Sequence, residues 1–129
     1  MWLHASGAAA GFDGAAAGRV ERVIDGDTVK MRVAIWLDQE ILVSVRLADI
    51  DAPELFRPKC AAEKRLAKQA KVFAEHFLSG GEAALVGIKR GKYAGRVVAR
   101  VEANGADLGA ALVDAGLAVH GARGQWCEA

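Results

Sequence analysis

The chain has 129 residues, 53% of them hydrophobic, which is enough to fill one compact core and too little for several. A formal net charge of +1 argues for no partner by itself, because non-specific affinity for phosphate backbones comes from an excess of Lys and Arg. Gly, Asp, Lys or Arg breaks every apolar stretch before the roughly 18 residues that a membrane-spanning helix needs, so no membrane partner is expected.

Residues 1–18 are dominated by Ala and Gly and are expected to form a flexible lead-in. They show no basic start followed by a continuous apolar centre, so no secretory signal is read in them. From Arg19 the pattern becomes β alternation, and Arg19–Ile24 and Thr28–Leu37 read as two strands joined by Asp25-Gly26-Asp27, a hairpin signal. In the second strand Val29, Met31, Val33 and Ile35 share one face and Lys30 and Arg32 the other. A third strand, Glu40–Leu47, turns Ile41, Val43, Val45 and Leu47 inward, with Ser44 and Arg46 facing the opposite way.

Beyond the loop 48–59, Ala61–Leu78 carries Leu66, Ala70, Phe73 and Phe77 at helical spacing, with Lys64, Arg65, Lys68 and Lys71 read as its wet face. Ser79-Gly80-Gly81 ends this helix. Glu82–Ile88 and Arg96–Val101 are two further strands around the basic loop Lys89 to Tyr93. A short helix follows over Asp107–Ala115, closed by Gly116, and the tail through Trp126 has no periodicity. Five strands with a helix between the third and fourth predict a mainly β, α+β domain over 19–129, matching the five-stranded oligonucleotide-binding (OB) barrel.

The acidic residues fall in two groups, Asp25 and Asp27 at the first hairpin and Asp49, Asp51 and Glu54 after the third strand. Carboxylates and carbonyls without a His or Cys cluster suit a hard cation, calcium or magnesium, rather than zinc. Each group alone has a plain reading: Asp-Gly favours turns, the Asp51–Glu54 stretch is a solvated strand exit, and Arg46 is a surface arginine. His4, His76 and His120 are scattered and read as structural or solvated, and Trp36 and Trp126 as packing. Cys60 and Cys127 lack the spacing of a zinc site and leave one bridge or two free thiols open.

Order and spacing together change the weighing. Val23-Ile24-Asp25-Gly26-Asp27-Thr28-Val29-Lys30, then Val45-Arg46-Leu47 through Asp51-Ala52-Pro53-Glu54, then Lys92-Tyr93 and Arg96, resembles the signature of the staphylococcal thermonuclease family, over about Arg19 to Val119. The resemblance implies an enzyme, a calcium-dependent nuclease that hydrolyses phosphodiester bonds of DNA and/or RNA and leaves 3′-phosphates. It implies Asp27, Asp51 and the carbonyl of Ala52 as calcium ligands, Glu54 as general base or water-orienting group, and Arg46 and Arg96 as phosphate clamps. Lys92 and Tyr93 are expected to touch substrate. It also implies a monomer, secreted or periplasmic, with a cytoplasmic location left open by the lack of a signal. A tail without other visible anchor and the secreted habit of relatives favour a Cys60–Cys127 disulfide.

The sequence departs from the family's pattern in three places. Ala52 stands where members often carry Thr, a change a carbonyl ligand survives. Lys92-Tyr93-Ala94-Gly95-Arg96 is one residue longer than the commoner Lys-Tyr-Gly-Arg, so Tyr93 or Arg96 shifts in register, and because Val97-Val98-Ala99 fits the strand, Arg96 is kept and the shift falls on Tyr93. The tail lacks the tyrosine some relatives place beside the nucleotide. The alternative function is a non-catalytic OB-fold module that binds nucleic acid, distinguished by loss of Asp27, Arg46, Asp51, Glu54 or Arg96, all of which are present.

Overall fold

The computed structural model describes residues 11–12, 15–121 and 123–127. In chain order the elements are β1 (Gly11–Phe12), β2 (Ala16–Asp25), β3 (Thr28–Trp36), β4 (Gln39–Leu47), β5 (Ile50–Asp51), α1 (Ala61–Phe77), β6 (Glu82–Arg90), β7 (Arg96–Ala103), β8 (Ala106–Asp107), α2 (Leu108–Asp114) and β9 (Val119–His120). Five of them, β2, β3, β4, β7 and β6, close a barrel: neighbours pair antiparallel except for the parallel β4–β7 ladder, and β6 pairs with both β2 and β7. The expected five-stranded α+β barrel with an inserted helix is therefore present.

Alternation builds the core. Val29, Met31, Val33, Val43, Val45 and Leu47 from the β3–β4 ladder are buried, and Leu85, Ala99, Val101, Leu108 and Leu112 close over them. The expectation fails for Ile35 and Ile41, which share that face by period yet remain exposed, because the hairpin runs past the barrel body. Trp36, read as packing, lies 71% exposed at the same tip, with Leu37 at 80%.

The lead-in expectation also needs correcting. Residues Ala16 to Gly18 belong to β2, pairing with Leu85, Ala84 and Ala83, and Gly11–Phe12 pairs with Lys89 and Ile88. Ala and Gly carry almost no β preference of their own, so this pairing is imposed by the free edge of β6 rather than by local sequence. Residues 1–10 and 13–14 of that lead-in lie outside the described residues, as does His4.

Helix α1 starts at Cys60, whose Sγ accepts from Glu63 N at 3.3 Å, and buries Glu63, Ala67, Ala70 and Ala74, while Leu66, Phe73 and Phe77 sit half-buried against the core. The small residues hold the centre of the contact because the helix lies very close to the first hairpin. A Cβ added at Gly26 would lie 2.7 Å from the Ala70 Cβ and 3.2 Å from the Ala52 Cβ. Gly26 thus serves close approach between helix and turn, and the Asp25–Asp27 turn is clamped beneath α1.

Helix α2 is capped by Asp107, whose carboxylate accepts from Ala110 N at 2.8 Å. It ends in a Schellman turn, with Leu117 N donating to Leu112 O at 2.9 Å, Gly116 N to Val113 O at 3.0 Å, and Gly116 at φ +76°. This turn sends the chain back as β9 to pair with β5, Val119 opposite Asp51.

Candidate functional site

Three elements meet at one end of the barrel. The first hairpin brings Asp25 and Asp27, β4 ends at Arg46 and Leu47, and the chain turns at Asp49, in a left-handed conformation (φ +63°), into Ile50-Asp51. Leu47 N donates to Asp27 O at 2.8 Å, which locks hairpin and strand end together. The side chains follow: Arg46 Nη1 lies 2.8 Å from Asp27 Oδ2 and its Nη2 3.8 Å from Asp51 Oδ1. Arg46 Nη1 also donates to Ile50 O at 3.3 Å, and Ala52 N donates to Asp27 Oδ2 at 3.2 Å. Asp27, Arg46, Asp51 and Ala52 are therefore brought into one cluster, with the arginine bridging the two acids.

Crowding of carboxylates raises their proton affinity. Burial first, then the neighbouring Asp27 carboxyl, push Asp25 up to about 7, and its buried Oδ1 has no hydrogen-bond partner among the described residues. The Glu54 carboxyl is also raised, by desolvation first and then by the charge of Asp27, with Arg46 pulling it the other way. Among the described residues, no three His, Cys, Asp or Glu side chains converge closely enough to cage a metal alone.

Glu54 sits on the exposed loop after β5, and Glu63 holds that loop in place. Buried in the first turn of α1, Glu63 accepts from Glu54 N at 2.9 Å through one oxygen and from Lys59 N at 2.7 Å through the other. Sequence reading missed Glu63. The available signal was its place three residues after the helix cap, where a capping box carries Glu, although here the carboxylate reaches further back than the cap.

Arg96 opens β7 in register with Ser44 of β4, and Val98 is in register with Arg46. Residues paired in a ladder point to the same face, so Arg96, Ser44 and Arg46 share the outer face of the barrel. No ion pair or side-chain hydrogen bond among the described residues engages Arg96. The extra residue in the preceding loop is absorbed by a turn: Arg96 N donates to Tyr93 O at 3.2 Å, Gly91 N donates to Arg96 O at 2.9 Å, and Gly95 takes φ +76°. Arg96 thus keeps its strand register, while Lys92 and Tyr93 are exposed on the loop and are not joined to the acidic cluster.

The tail returns to the same end. Cys60 and Cys127 form a disulfide, and Gly124 N donates to Asp51 Oδ2 at 2.8 Å. Residues Arg123 to Cys127 face Asp51, Ala52, Glu54, Lys59 and Glu63 across a cavity of about 300 Å³. The disulfide meets the expectation drawn from the sequence, whereas nothing in the tail's composition or period announced the Gly124–Asp51 contact.

Among curated proteins no sequence matches the chain. Residues 44–127, well over half of it, match the family described as staphylococcal nuclease homologue. That span holds Arg46, Asp51, Ala52, Glu54, Lys92, Tyr93 and Arg96, whereas the Asp25–Asp27 hairpin precedes it. Barrel topology and this match agree, and the chain belongs to the staphylococcal nuclease homologue family.

Proposed function

We propose that the protein is a calcium-dependent nuclease hydrolysing phosphodiester bonds of DNA and/or RNA. Membership of the family supports a nucleic-acid partner. The observation that carries the finer reading is the convergence of Asp27 and Asp51 on Arg46, at 2.8 and 3.8 Å, with Arg96 on the same barrel face and free of any acidic partner among the described residues. A structural acidic site has no need for a second, unneutralised guanidinium aimed along the same surface.

The residues fit a hard cation. The donors are carboxylate and carbonyl oxygens, with no imidazole or thiolate among them, and the nearby Asp25 Oδ1, buried and without a hydrogen-bond partner among the described residues, is an oxygen that a cation or its water would satisfy. Asp27, Asp51 and the Ala52 carbonyl would hold it. When bound, calcium would supply positive charge beside the non-bridging phosphate oxygens and complete its coordination with water or substrate oxygens.

The chain's own groups supply the rest. Water attacks phosphorus, Glu54 accepts the proton that the water gives up, and the P–O bond to the leaving 5′-oxygen breaks, that oxygen taking a proton from solvent to become a hydroxyl, which leaves a 3′-phosphate. A raised proton affinity suits Glu54 to this role, since it must hold that proton once taken. Charge building on the non-bridging oxygens is met by the planar, bidentate guanidinium of Arg96. Arg46 holds Asp27 and Asp51 in one cluster and offers its remaining N–H groups to the same phosphate. Lys92 and Tyr93, exposed on the loop before Arg96, would touch the substrate, with base stacking on Tyr93 contributing about 1–3 kcal/mol.

Digestion of DNA and RNA followed on gels, with calcium, with magnesium and with excess chelator, tests this reading. Cleavage is expected with calcium and is expected to vanish with chelator, and magnesium should support binding better than turnover. Undiminished cleavage in chelator would overturn the metal assignment. Binding without cleavage under every condition would instead identify a nucleic-acid-binding module.

A further inference from the structure

The contact between the C-terminal tail and Asp51 has no role in the chemistry above, yet it is built with care. Asp51 uses its two carboxylate oxygens differently: Oδ1 faces Arg46 Nη2 at 3.8 Å, whereas Oδ2 accepts the Gly124 N–H at 2.8 Å. The donor comes from 73 residues away in sequence, and it is held from both sides. On one side β9 pairs with β5 and Gly121 N donates to Asp49 O at 3.0 Å. On the other, the Cys60–Cys127 disulfide ties the tail to the cap of α1.

Trp126 completes the arrangement. Its ring lies directly on Gly124, so that a Cβ there would overlap the indole Cζ2 and Cε2. Only glycine fits at that position while the indole is in place. The result is one backbone N–H presented to one carboxylate oxygen, in a segment without helix or strand of its own.

We propose that the disulfide-held tail positions a calcium ligand: Gly124 N–H pins Asp51 Oδ2 and leaves Oδ1 oriented toward the cluster. This inference rests on the assignment of Asp51 as a ligand. Ligating carboxylates are themselves oriented by outer hydrogen bonds, and loss of such a partner typically weakens metal binding about 10- to 100-fold. The Cys60–Cys127 bond then contributes to metal affinity as well as to stability, and a free tail would bind calcium less well.

The test is calorimetric titration of calcium, without substrate, into the full chain and its variants. Gly124→Pro/Trp126→Ala removes the N–H while the lost indole makes room for the new ring, and Gly124→Ala/Trp126→Ala keeps the N–H and serves as its control. The proline variant is expected to bind calcium about tenfold more weakly than the alanine variant. On an Asp51→Ala background the two should be indistinguishable, which a general loosening of the tail would not produce. Equal affinities in the two double variants, with calcium bound normally by the parent, overturn the positioning role alone. A parent that binds no calcium overturns the metal assignment itself. Should the proline variant fail to fold, Cys60→Ser/Cys127→Ser, shown folded by circular dichroism, decides: about tenfold weaker binding supports the proposal and unchanged affinity overturns it.

Discussion

The two ends of the β3–β4 hairpin share one ladder and one alternation, and they have opposite fates. At the site end, where the β2–β3 turn meets the end of β4, charged residues are pressed inward: Asp25 and Asp27 are 7% and 8% exposed beneath α1. At the far end, apolar residues stand in solvent, with Ile35, Trp36, Leu37, Ile41 and Leu42 all exposed. Burial here follows coverage rather than hydrophobicity. Helix α1 packs on the first hairpin and the tail folds back over Asp51, so the acids are enclosed whatever their solvation cost, whereas the tip runs beyond the barrel body. An end that encloses charge stores a cost that function can use, and an end that exposes apolar surface carries little structural consequence.

If that contrast is right, substitutions at the site end should be felt in proportion to what they touch. The largest effect is expected from Arg96→Ala and Glu54→Gln. Each should lower turnover by roughly a hundredfold, equivalent to about 3 kcal/mol, with a much smaller loss of substrate affinity and an unchanged circular dichroism spectrum. Parent-rate digestion by both folded variants would remove the nuclease reading. Gly26→Val comes next. Its first added carbon meets the Ala70 Cβ at 2.7 Å, so α1 or the turn must move, and denaturant unfolding should show a loss of about 1–3 kcal/mol. Unaltered stability would mean that α1 does not clamp the turn.

Asp25→Asn should act in the other direction. Because the folded-state carboxyl is raised from 3.8 to about 7, ionising it disfavours the folded chain above that range. With chelator present, the asparagine variant should therefore melt a few degrees higher than the parent, on the order of 1 kcal/mol. Its advantage should be full above pH 7 and should fade as the pH drops toward 3.8, where the parent is protonated in both states. A pH-independent difference would assign the gain to something other than the buried charge. The smallest effect is expected at the tip, where Leu37→Ser should change stability by no more than about 0.5 kcal/mol in thermal or denaturant unfolding. A large loss would show that the exposed tip is covered in solution.

The barrel strands and the inserted helix were legible because each is written locally, whereas the candidate site residues stood out through the family resemblance that their order carries. Period-2 alternation marks β3 and β4, period-3.6 spacing and the closing glycines mark α1, and the motif order through Asp27, Arg46, Asp51 and Glu54 marks the site. What local reading could not reach was set by partners distant in sequence. The Ala16–Gly18 segment became strand because β6 offered an edge. Glu63 acquired its role from the N–H groups of Glu54 and Lys59, and Gly124, in a tail whose disulfide alone was expected, met Asp51 only because β9 returns the chain to β5.

By itself, then, the sequence determined the fold class, since hydrophobic period is a property of the chain, and through its family resemblance it proposed an oxygen-rich cation site and the residues at its centre. Tertiary structure alone decided that Arg46 bridges Asp27 and Asp51, that Gly26 yields its space to Ala70, that Trp36 stays in solvent and that Gly124 meets Asp51. Those outcomes depend on which surfaces close over which, and a one-dimensional pattern records a residue's preference for being covered without recording what arrives to cover it.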